Sequence, residues 1–509
     1  MLPLALILIA GFLISLVLTP IVRTTAIRLG IVDQPDARRK LHGRIVARSG
    51  GTAVLGSVLL LSGAALFRFD LLDLNAAQIT PFLGLLSAMV LIWLIGLADD
   101  IWTLRGRQKL LGQLLVALML AACGFQISNT SFFGIPIHLG VLSIPVSVVW
   151  LLATTNALNL IDGSDGLCST LGAIICGSLG LLAWVNGHFA ESAIAFAMCG
   201  ALLGFLVFNF PPASIFLGDS GSLLVGMVTG ALAIRCALHG ATTVAFLAPL
   251  AILTLPLLDS SMAIVRRKLT GRSIYTTDRA HLHHALKGKG LSDKGLLLAV
   301  TVLALITAMG ALAGQMLDQE WLALVGISVV IGLLVLTKAF CYSELALVVR
   351  RGSHFALSFM ERVDTAGKVA RQKAVRLQGT RQWETVWDTL VEFAEREQLA
   401  KLHLDLNVPW LEEGYHGTWQ KSRLPDRTDR WCSVLPLMSG EQVAGRVEVI
   451  GDATLGESLE SIVRLAGLVE DLTPQVHAIL ASGAEPVPAT DVVPELSAAS
   501  ESNAPVAVG

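Results

Sequence analysis

Residues 80–100 read TPFLGLLSAMVLIWLIGLADD, an apolar run that closes on two aspartates. Its length matches the ~20 residues that an α-helix needs to cross a bilayer. The adjacent carboxylates of Asp99 and Asp100 repel one another unless a cation or a shared proton relieves them. The stretch therefore predicts a membrane helix that ends in a charged functional site, with a solvated helix end as the alternative. Lys109 follows at the start of the next run and offers a counter-charge or a phosphate contact.

The composition of the chain indicates the same environment. Hydrophobic residues make up 54% and charged residues 15% of the 509 residues, and the mean hydropathy is +0.68. Soluble domains carry about 25% charged residues, which excludes a soluble main body. The formal net charge of −2 gives no reason to expect a nucleic-acid partner. The seven cysteines form no CxxC pair and are interpreted as buried small hydrophobic residues.

Apolar runs of spanning length recur along the first two thirds of the chain and predict an all-α, polytopic membrane core of about eleven transmembrane helices. The first run has no basic region and no small-residue cleavage motif, so we interpret it as a retained helix rather than a signal peptide. The runs lie near residues 2–22, 50–67, 80–98, 110–125, 141–158, 170–186, 191–208, 222–238, 242–265, 296–314 and 321–338.

The distribution of Lys and Arg predicts the orientation. Loops 23–49, 99–109 and 266–295 are rich in both, whereas the alternate loops hold little more than Arg68 and Arg235. Cytoplasmic loops carry the excess of basic residues. We therefore expect the N-terminus outside, the C-terminus inside, and a multi-pass protein of the inner (plasma) membrane.

The sequence becomes more polar after residue 340, which is the predicted end of the transmembrane core (1–340). Residues 351–482 predict a small cytoplasmic α+β domain of unknown role, and residues 483–509, rich in Ala, Pro, Ser and Glu, predict a disordered tail. Within the domain the patterns indicate a helix-favouring segment 351–400, strands at 401–407, 431–438 and 442–450, and a helix at 456–480.

Polar side chains recur every third residue in NALNLIDGSDG, residues 156–166. Asn156, Asn159, Asp162 and Asp165 supply oxygen ligands, which suit Mg²⁺ and phosphate chemistry rather than zinc. The glycines let the backbone approach a ligand. The alternative is a polar turn between helices.

A second motif, NFPPASIFLGDSGS at residues 209–222, places Asp219 alone among apolar and small residues. The backbone N–H groups after Asp219 can face an anion at a helix start, and the isolated carboxylate suits a metal ion. The alternative is a capping role at the eighth helix.

The segment DRAHLHH, residues 278–284, combines Arg279 with three imidazoles and predicts an anion site. His281 and His284 are one helical turn apart. A zinc site lacks cysteine partners and a nearby third ligand. A histidine cluster without function is the remaining alternative.

All these motifs, and the basic loop with Lys40 and His42, fall on the predicted cytoplasmic face. Acidic residues for a divalent cation beside Arg, Lys and His for phosphates describe phosphoryl transfer. A position at the membrane surface predicts one water-soluble and one lipid reactant.

At these residues the chain resembles the polyprenyl-phosphate N-acetylhexosamine-1-phosphate transferases of glycosyltransferase family 4. The Asp278-Arg279-x-His281-x-His283-His284 pattern is more similar to the undecaprenyl-phosphate GlcNAc-1-phosphate branch than to the pentapeptide-transferring branch. The resemblance covers roughly residues 30–290, and the C-terminal domain lies outside it. The matching stretches are Lys40 to Gly51, Gly96 to Lys109, Asn156 to Gly166, Asn209 to Ser222, and Arg272 to His284.

The resemblance implies transfer of a sugar 1-phosphate from a UDP-sugar, with GlcNAc favoured over another UDP-N-acetylhexosamine, to undecaprenyl phosphate. UMP leaves, and the product begins a cell-envelope polysaccharide. The implied cofactor is Mg²⁺, with Mn²⁺ as the alternative ion. The candidate residues are, for catalysis, Asp99, Asp100, Asp162, Asp165 and His281; for substrate binding, Lys40, His42, Lys109, Asn209, Arg279, His283 and His284; and for the metal, Asp219, Asn156 and Asn159.

Two other classes of protein fit parts of the pattern. A transporter also has many helices and membrane acids, but transporters place coupling charges near the midplane and in inverted repeats, and we see no internal repeat. A membrane scaffold needs no acidic cluster. Further expectations are a homodimer and an unidentified partner or ligand for the C-terminal domain.

Overall fold

The computed structural model divides the chain into two compact units, Met1–Val363 and Asp364–Gly509, which we describe separately. The structure describes residues 2–33, 46–67, 76–132, 135–237, 246–269, 281–337, 340, 371–378, 383–408, 413–421, 424–426, 428–439, 442–455 and 458–481.

The first unit is built of helices. In chain order they are α1 Leu2–Arg28, α2 Gly51–Phe67, α3 Ala76–Trp102, α4 Gly106–Ala122, α5 Ser143–Ile161, α6 Leu167–Val185, α7 Phe189–Asn209, α8 Gly218–Ala237, α9 Leu247–Ile252, α10 Thr254–Leu269, α11 Leu282–Lys287, α12 Asp293–Met316 and α13 Trp321–Leu336. Two short antiparallel pairs join them, β1 Val32–Asp33 with β2 Val46–Ala47, and β3 Asn129–Phe132 with β4 Ile135–His138.

Six helices in the described residues are long and apolar enough to cross a membrane, and two more apolar helices are shorter. The predicted helical character of the core is confirmed, whereas the count of eleven spans stays a prediction. The apolar run 242–265 was expected to form one helix, and this is wrong because α9 and α10 are separate. Pro256 explains the break: it has no N–H to continue the hydrogen bonds of a preceding helix, and it fits the first turn of a new one.

The outer surface of the helical unit is apolar. On α1 the side chains of Leu6, Leu13 and Val17 are more than half exposed, at 57%, 52% and 62%. Helix α8, by contrast, is buried along almost its whole described length. A helix that exposes leucine and valine at helical spacing matches a lipid environment rather than water.

The second unit contains a five-stranded antiparallel sheet in the order β5-β7-β6-β9-β8. Its elements are β5 Arg371–Gln378, α14 Glu384–Arg396, β6 Lys401–Val408, β7 Glu413–Gln420, β8 Arg430–Ser439, β9 Gln442–Asp452 and α15 Ser458–Ala481. Alternate residues of the central strands, such as Leu404 and Val447, join the buried tryptophans Trp387 and Trp419 in one apolar core.

The α+β character expected for the C-terminal region is therefore confirmed, although two strands were missed. Strand β5 falls within the segment 351–400, which was predicted to favour helix. Its sequence, RQKAVRLQ, is too polar to show strand alternation, and it forms a strand because it pairs with β7 at the edge of the sheet. The predicted tail 483–509 lies outside the described residues.

Candidate active site

Four helix ends meet at the centre of the site: the C-terminal ends of α3 and α5 and the N-terminal ends of α4 and α8. Helices α3 and α8 approach closely at Gly96, where an added Cβ would lie 2.4 Å from the backbone oxygen of Asp219. Only glycine permits this approach. The packing brings Asp99 and Asp100, at the end of α3, to Asp219 at the start of α8.

The ammonium of Lys109 lies at the centre of this group. Its Nζ donates to Asp219 Oδ2 at 2.5 Å, to Asp99 Oδ2 at 3.0 Å and to Asn159 Oδ1 at 3.2 Å. A lysine ammonium has three N–H donors, so each has an oxygen partner. Because the Lys109 side chain is only 15% exposed, these contacts form in a site largely shielded from water.

Hydrogen bonds hold the carboxylates of Asp99 and Asp219 in position. The side-chain amide of Asn159 donates to Asp219 Oδ1 at 2.7 Å and to Ser222 Oγ at 2.8 Å. Asp99 Oδ1 accepts the backbone N–H of Leu104 at 2.6 Å. The group is therefore held in place before any substrate arrives, as charge stabilisation in catalysis requires.

Asp100 faces the N-terminus of α8 rather than Lys109. Its two carboxylate oxygens accept the backbone N–H groups of Asp219, at 2.9 Å, and Ser220, at 3.1 Å. A carboxylate stabilises the positive end of a helix dipole and occupies N–H groups that have no partner within the helix. The capping role considered for Asp219 is thus filled by Asp100, and the Asp219 side chain is left for Lys109 and Asn159.

Asp162 directly follows α5, beside this group. Burial raises the pKa of Asp162 well above its ordinary value, the negative charges of Asp219 and Asp100 add to the effect, and Arg48 opposes it. The site thus favours the protonated carboxyl of Asp162 more than water does.

The histidines form a second group. His283 is 3% exposed, and an added Cβ at Gly163 would lie 2.7 Å from its ring, so the imidazole lies against the loop that follows Asp162. Burial, together with His284, His281 and Lys287, lowers the pKa of His283 to about 2. His283 is therefore neutral at physiological pH and offers a hydrogen bond rather than a positive charge.

Asp259 of α10 was not recognised from the sequence. It is 1% exposed, and its carboxylate contacts Nδ1 of His281 at 2.9 Å and accepts the backbone N–H of Leu282 at 2.8 Å. A signal was present, since Asp259 is an acid inside the apolar run 242–265 and such residues are functional candidates. Its proximity to His281, however, depends on the fold.

Three predicted site residues form hydrogen bonds with the protein framework. Asp165 Oδ2 accepts the backbone N–H of Ala213 at 2.8 Å. Asn209 Oδ1 accepts from the Gly166 backbone and the Ser169 hydroxyl, and its amide donates to the Ile215 backbone. Asn156 donates to Gln113 Oε1 at 2.7 Å and to the Leu152 backbone at 2.8 Å. The bonds of Asp165 and Asn209 join the loop after α5 to the loop before α8, whereas those of Asn156 lie within α5 and between α5 and α4. Lys40, His42 and Arg279 lie outside the described residues.

The oxygen atoms around Lys109 test whether the site fits a divalent cation. Two carboxylates and one amide oxygen surround a positive group, and these are the ligand types that Mg²⁺ prefers. No set of three or more His, Cys, Asp or Glu side chains arranged for a metal occurs in the part of the chain that the structure describes. The donors therefore fit a hard cation that also takes ligands from water and substrate phosphates, in the manner usual for Mg²⁺.

Membrane-length helices whose ends gather carboxylates, an amide and an ammonium define an integral membrane protein with a charged site at one end of its bundle. The model of glycosyl transferase family 4 matches residues 82–237, from α3 to the end of α8. The chain belongs to this family, as the motifs predicted, and is a multi-pass membrane protein.

The relatives agree with the family assignment. The chain is 33% identical over 310 residues to a probable undecaprenyl-phosphate N-acetylglucosaminyl 1-phosphate transferase of Bacillus subtilis, covering 60% of this chain and 83% of that protein. It is 35% identical over 364 residues to a decaprenyl-phosphate N-acetylglucosaminephosphotransferase of Mycolicibacterium smegmatis, covering 65% and 87%. It is 29% identical over 299 residues to a phospho-N-acetylmuramoyl-pentapeptide-transferase of Halalkalibacterium halodurans, covering 55% and 88%.

Proposed function

We propose that this chain transfers GlcNAc 1-phosphate from UDP-GlcNAc to a polyprenyl phosphate, releases UMP, and so begins a cell-envelope polysaccharide. The relatives named for GlcNAc and for undecaprenyl or decaprenyl phosphate support the substrates. The observation that carries the chemistry is the meeting of Asp99, Asp219 and Asn159 around Lys109 at the ends of membrane helices.

The reaction forms one P–O bond and breaks another. An oxygen of the lipid phosphate attacks the β-phosphorus of the UDP-sugar, the bond between the β-phosphorus and the bridging oxygen breaks, and that oxygen leaves with UMP. Asp99 would accept the proton of the lipid phosphate. Lys109 would leave its contact with Asp99 or Asp219 and donate instead to the phosphate oxygens, which gain negative charge in the transition state.

A bound Mg²⁺, or Mn²⁺ in its place, would supply positive charge that offsets the diphosphate. Asp219, with Asn159 or Asp99, would hold the ion. Asp100 keeps the start of α8 in position through its two backbone contacts. The neutral imidazole of His283 would contribute a hydrogen bond beside Asp162, while His281, His284 and Arg279 would contact the phosphates.

The orientation is part of the proposal. The basic loops 23–49, 99–109 and 266–295 support a cytoplasmic site in the inner membrane, eleven spans and an external N-terminus. UDP-sugars are water-soluble, so a site at a helix end serves one reactant from water and the other from lipid. A homodimer and a ligand for the second unit stay predictions.

A product assay tests the function. Purified protein with Mg²⁺ and undecaprenyl phosphate is incubated with UDP-GlcNAc, UDP-GalNAc, UDP-glucose or UDP-MurNAc-pentapeptide, and the lipid product and the released nucleotide are measured. We expect lipid-linked GlcNAc 1-phosphate and UMP from UDP-GlcNAc. Release of UDP would indicate glycosyl rather than phosphosugar transfer, and no product from any donor would reject the proposal.

The second unit is proposed to lie outside the chemistry, because the relatives cover about 60% of the chain. A variant lacking residues 364–509 is therefore expected to keep the transfer reaction in the same assay. Loss of the reaction in a correctly inserted variant would show that the unit acts on the site.

A further inference from the structure

Asp259, which has no part in the chemistry proposed above, forms a buried pair with His281. Asp259 is on α10, and His281 directly precedes the short helix α11. Asp259 Oδ2 is 2.9 Å from His281 Nδ1, while Oδ1 accepts the backbone N–H of Leu282 at 2.8 Å. The two side chains are 0% and 7% exposed, so water does not compete for these contacts.

The contacts determine which ring nitrogen carries the proton. A carboxylate only accepts hydrogen bonds, so Nδ1 of His281 must be the donor to Asp259. In the neutral ring the other nitrogen, Nε2, then carries the lone pair. We propose that Asp259 is a positioning residue that holds His281 as the Nδ1–H tautomer, with Nε2 as the acceptor for an O–H group of a substrate. This inference rests on the proposed transfer function.

The orientation of the His281 ring also affects the neighbouring imidazole of His283. The rings of His281 and His283 are nearly parallel, with an interplanar angle of 4° and centroids 6.0 Å apart. His283 in turn lies against Gly163. Fixing the plane of His281 from Asp259 therefore also limits the position of His283 next to the loop that carries Asp162.

A simpler role for Asp259 is to cap α11 through the N–H of Leu282, and one substitution separates the two roles. In Asp259→Asn, the amide oxygen can still accept the Leu282 N–H, because that N–H is always a donor. The NH₂ group then faces Nδ1 of His281, which must become the acceptor, and the ring proton moves to Nε2. The cap is kept while the tautomer is inverted, which is how Asp→Asn acts behind a catalytic histidine.

Kinetics on the full-length protein test the pair. We expect Asp259→Asn to lower kcat/KM by about 10–10²-fold, because the substrate O–H group then meets a donor instead of an acceptor, with an unchanged melting temperature and an altered pH profile. In a His281→Gln background the same substitution should change kcat/KM by less than about threefold, since residues that act as a unit are not additive. Asp259→Glu should recover part of the activity. Near-normal kcat/KM in Asp259→Asn, or additive losses, would overturn the proposal in favour of a cap.

A second measurement does not depend on turnover. Nitrogen NMR of ¹⁵N-histidine-labelled protein, with the His281 signals assigned by their loss in His281→Gln, reports the tautomer directly. We expect a protonated Nδ1 in the wild-type protein and a protonated Nε2 in Asp259→Asn. A protonated Nε2 in the wild type would overturn the inference. If the wild type turns over no UDP-sugar, the proposed function fails, and the NMR result still decides the tautomer.

Discussion

Lys109 contacts the oxygen atoms that would also hold a cation. Its ammonium contacts Asp99, Asp219 and Asn159 in a site where these side chains are mostly buried. One positive charge thus separates two carboxylates that would otherwise repel one another. For Lys109 to contact a phosphate, another cation must replace it between the acids, which links substrate binding to the divalent ion.

Lys109→Met tests this link. Removing one partner of a buried ion pair costs about 3–5 kcal/mol because a charge is left uncompensated. We expect a lower melting temperature without divalent ions and a partial recovery with Mg²⁺, together with strongly reduced transfer. Lys289→Met is the control, since Lys289 is exposed and its ammonium donates to the backbone oxygen of Thr337, away from the acids of the site. If the melting temperatures of the wild type and of Lys109→Met depended equally on Mg²⁺, this link would be contradicted.

At the scale of elements, the contact between α3 and α8 determines the geometry of the site. Gly96 leaves no room for a side chain against the backbone at Asp219. The same contact aligns Asp100 with the first N–H groups of α8. The spacing of the acids therefore depends on how closely two helices pack.

Gly96→Ala should separate the two helices. Overpacking of this kind costs about 1–3 kcal/mol, and the displacement of Asp100 and Asp219 should lower kcat by at least about tenfold, since small misplacements are costly in catalysis. Gly332→Ala on α13 is the matched control because an added Cβ there meets no atom within 4 Å. The melting temperature and the rate of UMP release provide the measurements. A Gly96→Ala variant with wild-type kcat would contradict the proposed dependence.

The sequence predicted the elements that have strong local signals. Apolar runs located the long helices, and the polar motifs identified Asp99, Asn159 and Asp219, which the structure brings together. The pairing of Asp259 with His281 was not predicted, because only the fold brings α10 to His281. The capping of α8 by Asp100 was not predicted for the same reason, since the partners of Asp100 are more than a hundred positions away in the sequence. Strand β5 was not predicted, because it becomes a strand through its pairing with β7 and not through its composition.

At the scale of the whole molecule, the second unit has its own half-buried histidine, His403. His403 Nδ1 is 3.1 Å from the hydroxyl of Thr418, and its ring is 4.4 Å from that of His416. Burial, with His416 as the next cause, lowers the pKa of His403 from 6.5 to about 4. The folded sheet therefore favours the neutral imidazole.

The stability of this unit should depend on pH. Unfolded His403 takes up a proton near pH 6.5 and folded His403 only near pH 4, so the unfolded state binds more protons between these values. The free energy of unfolding then falls as the pH drops from 6.5 to 4. Amide hydrogen exchange of β6 and β7 in the full chain, corrected for intrinsic rates, measures this. His403→Gln should flatten this pH dependence, whereas His477→Gln, at an exposed position of α15, should leave it unchanged. An unchanged slope in His403→Gln would assign the effect to other groups.

The central claim is that the acids around Lys109 carry phosphosugar transfer, and Asp219→Asn tests it most directly. UMP and lipid-linked product are measured from UDP-GlcNAc, undecaprenyl phosphate and Mg²⁺, with the exposed Asp388→Asn of α14 as the control. We expect equal amounts of UMP and lipid product from the wild type and the control. Asp219→Asn should give a rate at least about 10²-fold lower, with a folded protein by thermal melting. Near-normal turnover by folded Asp219→Asn would contradict the account.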